Sequence, residues 1–527
     1  MNSFKITHEF SFPRSLWNQE GQSIFTPELI QLLIQLHNEF SDERSILLNQ
    51  RTERQKSYNS GSLPTFLDQT SQAVKGDWQV SPLPPELLCR RVEITGPVHS
   101  SKMVINMLNR NPEGSRADMA MLDFEDSMKP SFFNVLSGYK NVLGAVVGDL
   151  KLTTDEKIMQ ITHHDSAYVM VRCRGLHLTE SNVKINGEPI SAGLLDLAVC
   201  FFHTAKIYLA QNKTPKYYIP KCEHYLEARW WNKLFIALEV FFKMPVGTLK
   251  ATFLIETLPA AFQVEEILYE IKDHAAGLNV GRWDKIFSDI KVLRFHPSRV
   301  LADRDLITMQ KSWMENYAKR VIAICHDRGA LAIGGMSAFT PGKSQSQREE
   351  QTIKVLEDKQ REASWGHDGC WVSHPYFIGC ALSAFKFDNQ LHLKLSDFNK
   401  ISDLLPQGGG PYTMAGLRTN IRVAIAYLHG WNHGHGCIAL DNKMEDLATL
   451  EISRAQIWQW NHYQVVLEEG LKVNQELIRL TFDQELIKLA SEMDIPVEDL
   501  LPARNQAQEL FLKQNLSEFM CSASEII

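Results

Sequence analysis

Eight short segments rich in apolar residues, separated by stretches long enough for a helix, constrain the fold of this 527-residue chain most strongly. Several of them are apolar without alternation, which is typical of parallel strands that are covered on both faces. Strands that alternate with helices predict βαβ units, and eight such strands predict a closed (β/α)8 barrel, a TIM barrel of the α/β class. The predicted strands are residues 92–95, 119–124, 168–172, 217–219, 252–255, 276–280, 331–333 and 371–372.

The segments before and after this pattern are predicted to be mainly helical. Thr26-Pro27-Glu28 is a typical helix start, whereas the polar stretch 49–62 has little to bury and 81–85 is predicted to be a proline-rich linker. A glycine- and proline-rich break at 406–411 precedes helices predicted at 417–428, 444–460 and 486–493. We therefore divide the chain into an N-terminal helical region (1–90), a barrel (91–400) and a C-terminal helical region (401–527).

Composition and charge exclude several classes of protein. The 55 basic and 62 acidic residues give a net charge of −7, which disfavours a nucleic-acid or membrane-surface partner. The apolar run 234–242 is too short to span a bilayer, and residues 1–10 lack the apolar region of a secretory signal. The nine cysteines form no Cys-x-x-Cys pair, and residues 522–527 are unlike a peroxisomal signal. We therefore expect free thiols and a cytoplasmic protein.

Acidic side chains dominate the predicted C-terminal strand ends, where the site of such a barrel lies. Because oxygen ligands suit Mg²⁺, this pattern predicts a magnesium site. Glu256 and Asp284 follow consecutive strands and are expected side by side, although they could instead be helix N-terminal carboxylates. The other charged or polar candidates, which a buried salt-bridge network could also explain, are Asp123, Glu125, Asp126, Lys221, Glu223 and His374.

Arg172 ends an apolar strand, where its guanidinium could bind a carbonyl or carboxylate oxygen or pair with the neighbouring acids. His429, His433 and His435 lie among glycines, so we expect a solvated loop and no metal site there. The three glycines at 408–410 lack the strand and Lys-Ser/Thr context of a phosphate loop and are interpreted as a linker.

Taken together, the motifs resemble those of the A-type malate synthase family along nearly the whole chain. The run at 277–284 and the motifs at 444–446 and 451–454 are the specific ones. The chain departs from the usual family pattern at Cys173 and Leu176. The motifs are RVEITGP (91–97), DFEDS (123–127), RCRGLHL (172–178), IPK (219–221), ETLPA (256–260), GLNVGRWD (277–284), GGM (334–336), GHDG (366–369), MED (444–446) and EISR (451–454).

The resemblance implies an N-terminal helical clasp, a central barrel and a C-terminal helical plug that covers the barrel mouth. It implies condensation of acetyl-CoA with glyoxylate to malate and CoA, as in the glyoxylate cycle, by a monomer or small homo-oligomer. Glu256 and Asp284 would bind Mg²⁺, Arg172 would be the electrophile and Asp446 the catalytic base. The implied substrate-binding residues are Gly281, Arg282, Trp283, Asp284, Trp371, Pro375 and Cys437.

Two other functions remain open at this point. A Mg²⁺-dependent malyl-CoA or citramalyl-CoA lyase would share the carboxylate pair, but it would cleave a carbon–carbon bond and keep the thioester. The clasp, the plug and the motif at 444–446 disfavour it. A non-catalytic binding protein built on a barrel is the second alternative, and it is disfavoured because every position that the chemistry requires holds a competent side chain.

Overall fold

The computed structural model describes residues 3–155, 157–162 and 164–520, and a closed barrel of parallel strands lies at its centre. The elements that precede the barrel are β1 (Ser3–Lys5), β2 (Phe10–Pro13), α1 (Gln19–Ile24), α2 (Pro27–Asn59) and α3 (Gln72–Lys75). The barrel region comprises β3 (Val92–Pro97), α4 (Ser101–Leu108), β4 (Met119–Asp123), α5 (Phe132–Val147), β5 (Lys151–Thr153), β6 (Ile158–Gln160), β7 (Tyr168–Arg172), β8 (Thr179–Ile185), β9 (Glu188–Ser191), α6 (Ala192–Ala210), β10 (Lys216–Ile219), α7 (Tyr225–Phe241), β11 (Lys250–Ile255), α8 (Leu258–Ala261), α9 (Val264–Glu270), β12 (Ala275–Val280), α10 (Arg282–Val292), α11 (Ser312–Asp327), β13 (Leu331–Ser337), α12 (Gln345–Trp365), β14 (Gly369–Val372) and α13 (Ile378–Ala384). The C-terminal elements are α14 (Met414–Asn432), β15 (Ile438–Leu440), β16 (Lys443–Glu445), α15 (Leu447–Tyr463), α16 (Gln475–Met493) and α17 (Val497–Phe511).

The barrel strands follow the order β3-β4-β7-β10-β11-β12-β13-β14, and β14 pairs with β3 to close the sheet. Each of the eight predicted strands is present, so the predicted (β/α)8 fold is confirmed. The strand predicted at 331–333 is longer than expected, since β13 continues to Ser337. This extension brings the chain toward the C-terminal helices.

The N-terminal region contains strands that the sequence pattern did not predict. The strands β1, β2, β8 and β9 form a four-stranded sheet in that order, in which β2 pairs with β8. The strands β8 and β9 belong to an excursion from the barrel. Phe10 pairs with Ile185 and is fully buried. Because the pairing partners are far apart in sequence, the local pattern around Phe10 carries no sign of this sheet.

The polar stretch 49–62 contributes a helix and buried contacts, contrary to the expectation that it buries little. α2 runs without interruption to Asn59, and Arg51 and Gln55 on it are buried. Arg51 donates to both carboxylate oxygens of Glu227 at 2.8 and 2.6 Å and to the carbonyl oxygen of Lys221 at 2.7 Å. A charged pair therefore attaches this polar helix to the barrel.

The C-terminal helices differ from their predicted extents in two places. The segment predicted as one helix at 444–460 begins with β16, which pairs with β15, and α15 starts only at Leu447. The helix α17 was not predicted because it contains Pro502. The helix α15 packs against α10 of the barrel, so the C-terminal region lies over the strand ends.

One helix in the described part of the chain is long and apolar enough to cross a membrane by length and composition. It is α6, and 72% of its most apolar window is buried inside the protein. It is longer than the run at 234–242 that the sequence analysis singled out. Asp196 on α6 accepts hydrogen bonds from Arg174 and Tyr139, which is consistent with a core helix of the barrel.

The cysteines and histidines of interest lie as follows. The eight cysteines in the described ranges are free thiols, whereas Cys521 and residues 522–527 lie outside the described residues. His429 is in the last turn of α14 and not in a loop, and its ring lies 4.4 Å from that of His433.

We expect Arg51→Ala to destabilise the protein strongly. Removal of the guanidinium takes away the nearest partner of the buried Glu227 carboxylate and leaves only Arg54 Nη2 at 3.5 Å among its described ion pairs, and breaking a buried pair typically costs about 3–5 kcal/mol. Urea denaturation monitored by circular dichroism should show this as a lower unfolding midpoint. Lys56→Ala is the matched control, since its ion pair with Glu53 is exposed and contributes about 0–1 kcal/mol. Equal midpoints for the two variants would contradict the role of Arg51.

Candidate active site

A cavity of about 60 Å³, here called the catalytic cavity, lies at the C-terminal end of the barrel beneath the start of α15. At roughly 10–15 Å³ per water position, it has room for about four water molecules, which is the scale of a very small substrate. The predicted site residues that line it are Arg172, Glu256, Gly281, Arg282, Trp283, Asp284, Trp371, Cys437 and Asp446. Of the other predicted residues, Asp123 and Asp126 also line it, Pro375 and His374 line a neighbouring cavity, and Glu125 and Lys221 lie just outside it.

Arg172 is held in a fixed orientation by Asp123. The two residues are in register on adjacent strands β7 and β4, and the guanidinium donates from Nε and Nη2 to the two carboxylate oxygens at 2.7 and 2.6 Å. Nη1 makes longer contacts, 3.2 Å to Asp126 and 3.8 Å to Glu125. Burial alone would raise the pKa of Asp123, but the guanidinium lowers it on balance, so the pair is ionised. This leaves one edge of the guanidinium for a ligand.

Glu256 directly follows β11 and Asp284 lies in the first turn of α10, just after β12, and both line the catalytic cavity, as the strand order predicts. The backbone N–H of Lys221 donates to Glu256 Oε1 at 2.7 Å, and Lys221 Nζ lies 3.2 Å from Asp284 Oδ1. Burial, followed by the charge of Asp284, raises the pKa of Glu256 to about 8. Burial also raises the pKa of Asp284. The two carboxyl groups are therefore close enough to repel each other.

Lys221 has an unusual backbone conformation for a lysine, with φ at +52°. Such a conformation costs about 1–3 kcal/mol and is typical of functional sites. Its ammonium group is also 2.8 Å from Asp126 and 3.2 Å from Glu125. Burial alone would lower the pKa of Lys221, but these acids and Asp284 raise it well above its ordinary value. Lys221 is thus a charged partner shared by three carboxylates.

Asp446 reaches the catalytic cavity from the C-terminal region. It is the N-cap of α15, and its Oδ1 accepts the backbone N–H of Thr449 at 3.2 Å. Burial, with Asp126 and Asp284 nearby, raises the pKa of Asp446 well above its ordinary value. A carboxylate with a raised pKa is a stronger base than an exposed one. Asp446 therefore lines the catalytic cavity together with the barrel residues.

The carboxylates of the cavity fit a hard divalent cation. Within the described ranges, Glu256 Oε2 is buried without a hydrogen-bond partner, whereas Asp284 Oδ1 has only Lys221 Nζ nearby, at 3.2 Å. Such oxygens are costly to leave unpaired and are the ligands that Mg²⁺ prefers. No group of three His, Cys, Asp or Glu residues with metal-binding geometry occurs in the part of the chain described here. A cation held by two carboxylates would therefore keep positions for substrate oxygens.

The first turn of α10 offers unpaired backbone N–H groups beside this pair. Gly281 is the N-cap of α10, and no side chain of a described residue caps the helix there. Even a Cβ atom has no room at this position, because it would lie 2.5 Å from the Cβ atom of Glu256. The open N-terminus of a helix attracts anions.

A second cavity of about 460 Å³, here called the outer cavity, adjoins the catalytic cavity. The two share the lining residues Thr95, Gly96, Met103, Ser373 and Met444. Arg110 and Arg348 line the outer cavity together with Glu113, His374 and Pro375, so its lining has more basic than acidic side chains, although Arg110 also pairs with Asp165. It is large enough for part of a bulky substrate whose reactive end would lie in the catalytic cavity.

Two functional contacts were not found from the sequence. Arg304 donates to both oxygens of Glu445, the neighbour of Asp446, at 2.8 and 2.9 Å, and it also donates to Ser453 on α15 at 3.1 Å. Arg304 lies in a connection without a motif, so only the fold brings it to α15. Conversely, Glu223 is in the predicted set but binds Lys291 at 2.7 Å, outside the catalytic cavity.

The sequence of the chain is similar to that of known proteins. Three family models match: malate synthase N-terminal domain at residues 14–72, malate synthase TIM barrel domain at 168–404 and malate synthase C-terminal at 411–524. The chain is 42% identical over 495 residues to malate synthase A of Escherichia coli (strain K12), covering 92% of this chain and 91% of that protein.

The chain belongs to the malate synthase family. Two further relatives support the assignment. The malate synthase of Myxococcus xanthus is 44% identical, with 91% of this chain and 88% of that protein covered. The malate synthase of Dictyostelium discoideum is 41% identical, with 89% and 88% covered. The resemblance predicted from the motifs is therefore confirmed, and with it the assignment to a family of enzymes.

We expect Glu445→Gln to lower kcat about tenfold or more while it leaves Mg²⁺ affinity unchanged. The substitution weakens the contact with Arg304 that orients the start of α15, and small displacements of a catalytic group cost large factors in rate. Steady-state kinetics with a parallel Mg²⁺ titration measures both quantities. Lys488→Gln, which removes an exposed 4.0 Å pair on α16, is the control. A normal kcat for Glu445→Gln would refute the role of this contact.

Proposed function

We propose that this chain condenses acetyl-CoA with glyoxylate and hydrolyses the resulting thioester to malate and CoA, in a reaction that depends on Mg²⁺. One observation carries the proposal. A guanidinium (Arg172), a pair of carboxylates (Glu256 and Asp284) and a carboxylate base on a separate helix (Asp446) line a single buried cavity.

Asp446 and Arg172 supply the enolisation of acetyl-CoA. The methyl group of a thioester is a very weak acid, so Asp446 can remove its proton only if the enolate oxygen is stabilised as charge develops. The cavity edge of the Arg172 guanidinium donates to that oxygen, and Asp123 prevents the fork from turning away. The raised pKa of Asp446 favours proton transfer to it.

Glyoxylate is placed by the first turn of α10 and by the carboxylate pair. The N–H groups that follow Gly281 bind its carboxylate. Glu256 and Asp284 hold Mg²⁺, which supplies Lewis-acid polarisation of the aldehyde oxygen when it is bound. The aldehyde carbon then faces the enolate carbon, and the new carbon–carbon bond forms between them.

The binding of acetyl-CoA and the final hydrolysis involve the region around the catalytic cavity. The pantetheine and nucleotide parts of acetyl-CoA occupy the outer cavity, where Arg110 and Arg348 face the phosphates. The start of α15 covers the cavity and excludes water while the carbon–carbon bond forms. Water then hydrolyses the malyl thioester and releases CoA, which makes the overall reaction irreversible.

Three further statements belong to the same proposal. The division at residues 90/91 and 400/401 separates the clasp, the barrel and the plug. The enzyme acts in the cytoplasm as a monomer or small homo-oligomer, without a nucleic-acid or membrane partner. Cell fractionation tests the location, and light scattering of the purified protein tests the oligomeric state.

We expect free thiol to be released from acetyl-CoA only when glyoxylate and Mg²⁺ are both present, with loss of the signal in EDTA. A thiol reagent measures this release directly. A malyl-CoA or citramalyl-CoA lyase would keep the thioester and release no thiol, and a binding protein would show no turnover. Release without glyoxylate, or undiminished release in EDTA, would contradict the proposed reaction.

We expect Asp446→Asn to retain the fold and Mg²⁺ affinity but to lose turnover by a factor of about 10²–10⁴, the usual contribution of a general base. Glu256→Gln is the matched variant, since it removes a carboxylate charge from the same cavity and should weaken Mg²⁺ binding. Thiol release and a Mg²⁺ titration on both variants separate the two roles. Loss of Mg²⁺ affinity in Asp446→Asn would assign it to the metal site instead.

We expect Arg172→Lys to lower kcat strongly, by about 10²-fold or more, because a point charge cannot both bind Asp123 bidentately and donate to the enolate. The KM for glyoxylate should change much less, since other groups bind that substrate. Steady-state kinetics on the purified variant measures both parameters. A kcat close to that of the unmodified enzyme would exclude Arg172 as the electrophile.

A further inference from the structure

A third cavity, of about 490 Å³, lies beside the catalytic cavity and has no part in the mechanism described above. This side cavity is bounded by the first turn of α10, the end of β13, the helix α12 and the hairpin β15–β16. It is similar in volume to the outer cavity, and both open near the mouth of the barrel.

A short two-stranded seam separates the side cavity from the outer cavity. The backbone N–H of Met444 donates to the carbonyl oxygen of Ala338 at 2.7 Å, and that of Thr340 donates to Asn442 at 3.0 Å. Neighbouring side chains along an extended strand point to opposite faces. Lys443 accordingly lines the side cavity, whereas Met444 lines the catalytic and outer cavities.

The wall between the side cavity and the catalytic cavity consists of side chains. Arg282 and Trp283 line both cavities, and the Arg282 guanidinium lies 4.8 Å from the centre of the Trp283 ring. A stacked pair of this kind can move by rotamer changes, whereas a wall of barrel backbone cannot. The side cavity is thus separated from the reacting groups by two movable side chains.

Several hydrogen-bond donors around the side cavity lack a partner in the described part of the chain. Ser337 is 4% exposed, lines the cavity and has an unpaired hydroxyl. Arg282 Nε, Arg361 Nε and Trp283 Nε1 are likewise buried and unpaired. Each such group costs about 1–3 kcal/mol unless something satisfies it. Donors of this kind match a ligand that carries acceptor oxygens.

The charge of the side cavity favours a small anion. Its described lining contains four basic side chains and three acidic ones, and it leads to the open N-terminus of α10. Asp358 forms ion pairs with Arg361 at 2.7 Å and, more loosely, with Arg282 at 4.0 Å. Arg361 is therefore partly satisfied, while its Nε remains available.

We propose that the side cavity is the passage through which the small 2-oxo acid enters the catalytic cavity and the hydroxy acid product leaves, with Arg282 and Trp283 as its gate. The inference rests on the proposed function, in which the CoA thioester fills the outer cavity. Two separate entrances allow the small acid to reach its binding position when the thioester side is already occupied.

The first experiment measures the rate at which glyoxylate binds, by stopped-flow tryptophan fluorescence in the presence of Mg²⁺, with and without saturating CoA. Trp283 and Trp371 line the catalytic cavity and provide the signal. We expect CoA to change the association rate by less than about threefold, well within the range that related complexes span. Slowing by threefold or more would show a shared entrance and overturn the inference.

The second experiment narrows each entrance separately with a bulky side chain. Thr308→Trp and, as an exposed alternative if it misfolds, Gln310→Trp narrow the side cavity, whereas Asn106→Trp narrows the outer cavity. Thr308→Trp should slow glyoxylate association and dissociation alike, by about tenfold, and leave its Kd and the KM for acetyl-CoA nearly unchanged. Asn106→Trp should raise only the KM for acetyl-CoA.

The outcomes separate this inference from the proposed function. Unaltered glyoxylate rates in a folded Thr308→Trp or Gln310→Trp variant would overturn the passage. Slower association with an unchanged dissociation rate, and therefore a higher Kd for glyoxylate, would also overturn it, because a narrowed passage slows movement in both directions. If the unmodified enzyme releases no thiol from acetyl-CoA and glyoxylate, the proposed function itself fails, whatever the binding rates are.

Discussion

The crowding of buried carboxyl groups around a few cations governs the electrostatics at the mouth of the barrel. Arg172 and Lys221 lie among six acids at the mouth of the barrel, and burial prevents water from screening their repulsion. Burial, followed by the charge of the neighbouring acids, raises the pKa of Glu256 to about 8 and the pKa of Asp446 well above its ordinary value. The same excess of negative charge that makes Asp446 a better base therefore also makes the site suitable for a divalent cation.

The three regions of the chain meet at this cluster through a short series of contacts. Arg51 of the N-terminal helix α2 binds the carbonyl oxygen of Lys221, and the ammonium group of Lys221 binds Asp126. The carbonyl oxygen of Asp126 accepts the backbone N–H of Leu447 at the start of α15. The clasp and the plug thus support the barrel end where the reacting groups lie, and Arg304 adds a second connection to α15.

Much of the fold could be predicted because strands buried on both faces leave a local signature. β11 and β12 are mostly apolar or small and are buried along their whole length, and their order alone indicated that Glu256 and Asp284 are neighbours. The strand β2 could not be predicted, since its partner β8 lies at 179–185, and β1 in turn pairs with β2. The extension of α2 past residue 49 was also missed, because a buried ion pair compensates for its lack of apolar residues.

Local sequence determined the barrel, the positions of the acids at the strand ends and the motif that carries Asp446, since each depends on residue types within a short window. Only the tertiary structure decided how the charges are shared: Asp123 pairs with Arg172, Asp126 pairs with Lys221, and Glu256 keeps an unpaired oxygen. Partner choice depends on distances of a few ångströms between segments far apart in the chain. No pattern of spacing along the sequence encodes those distances.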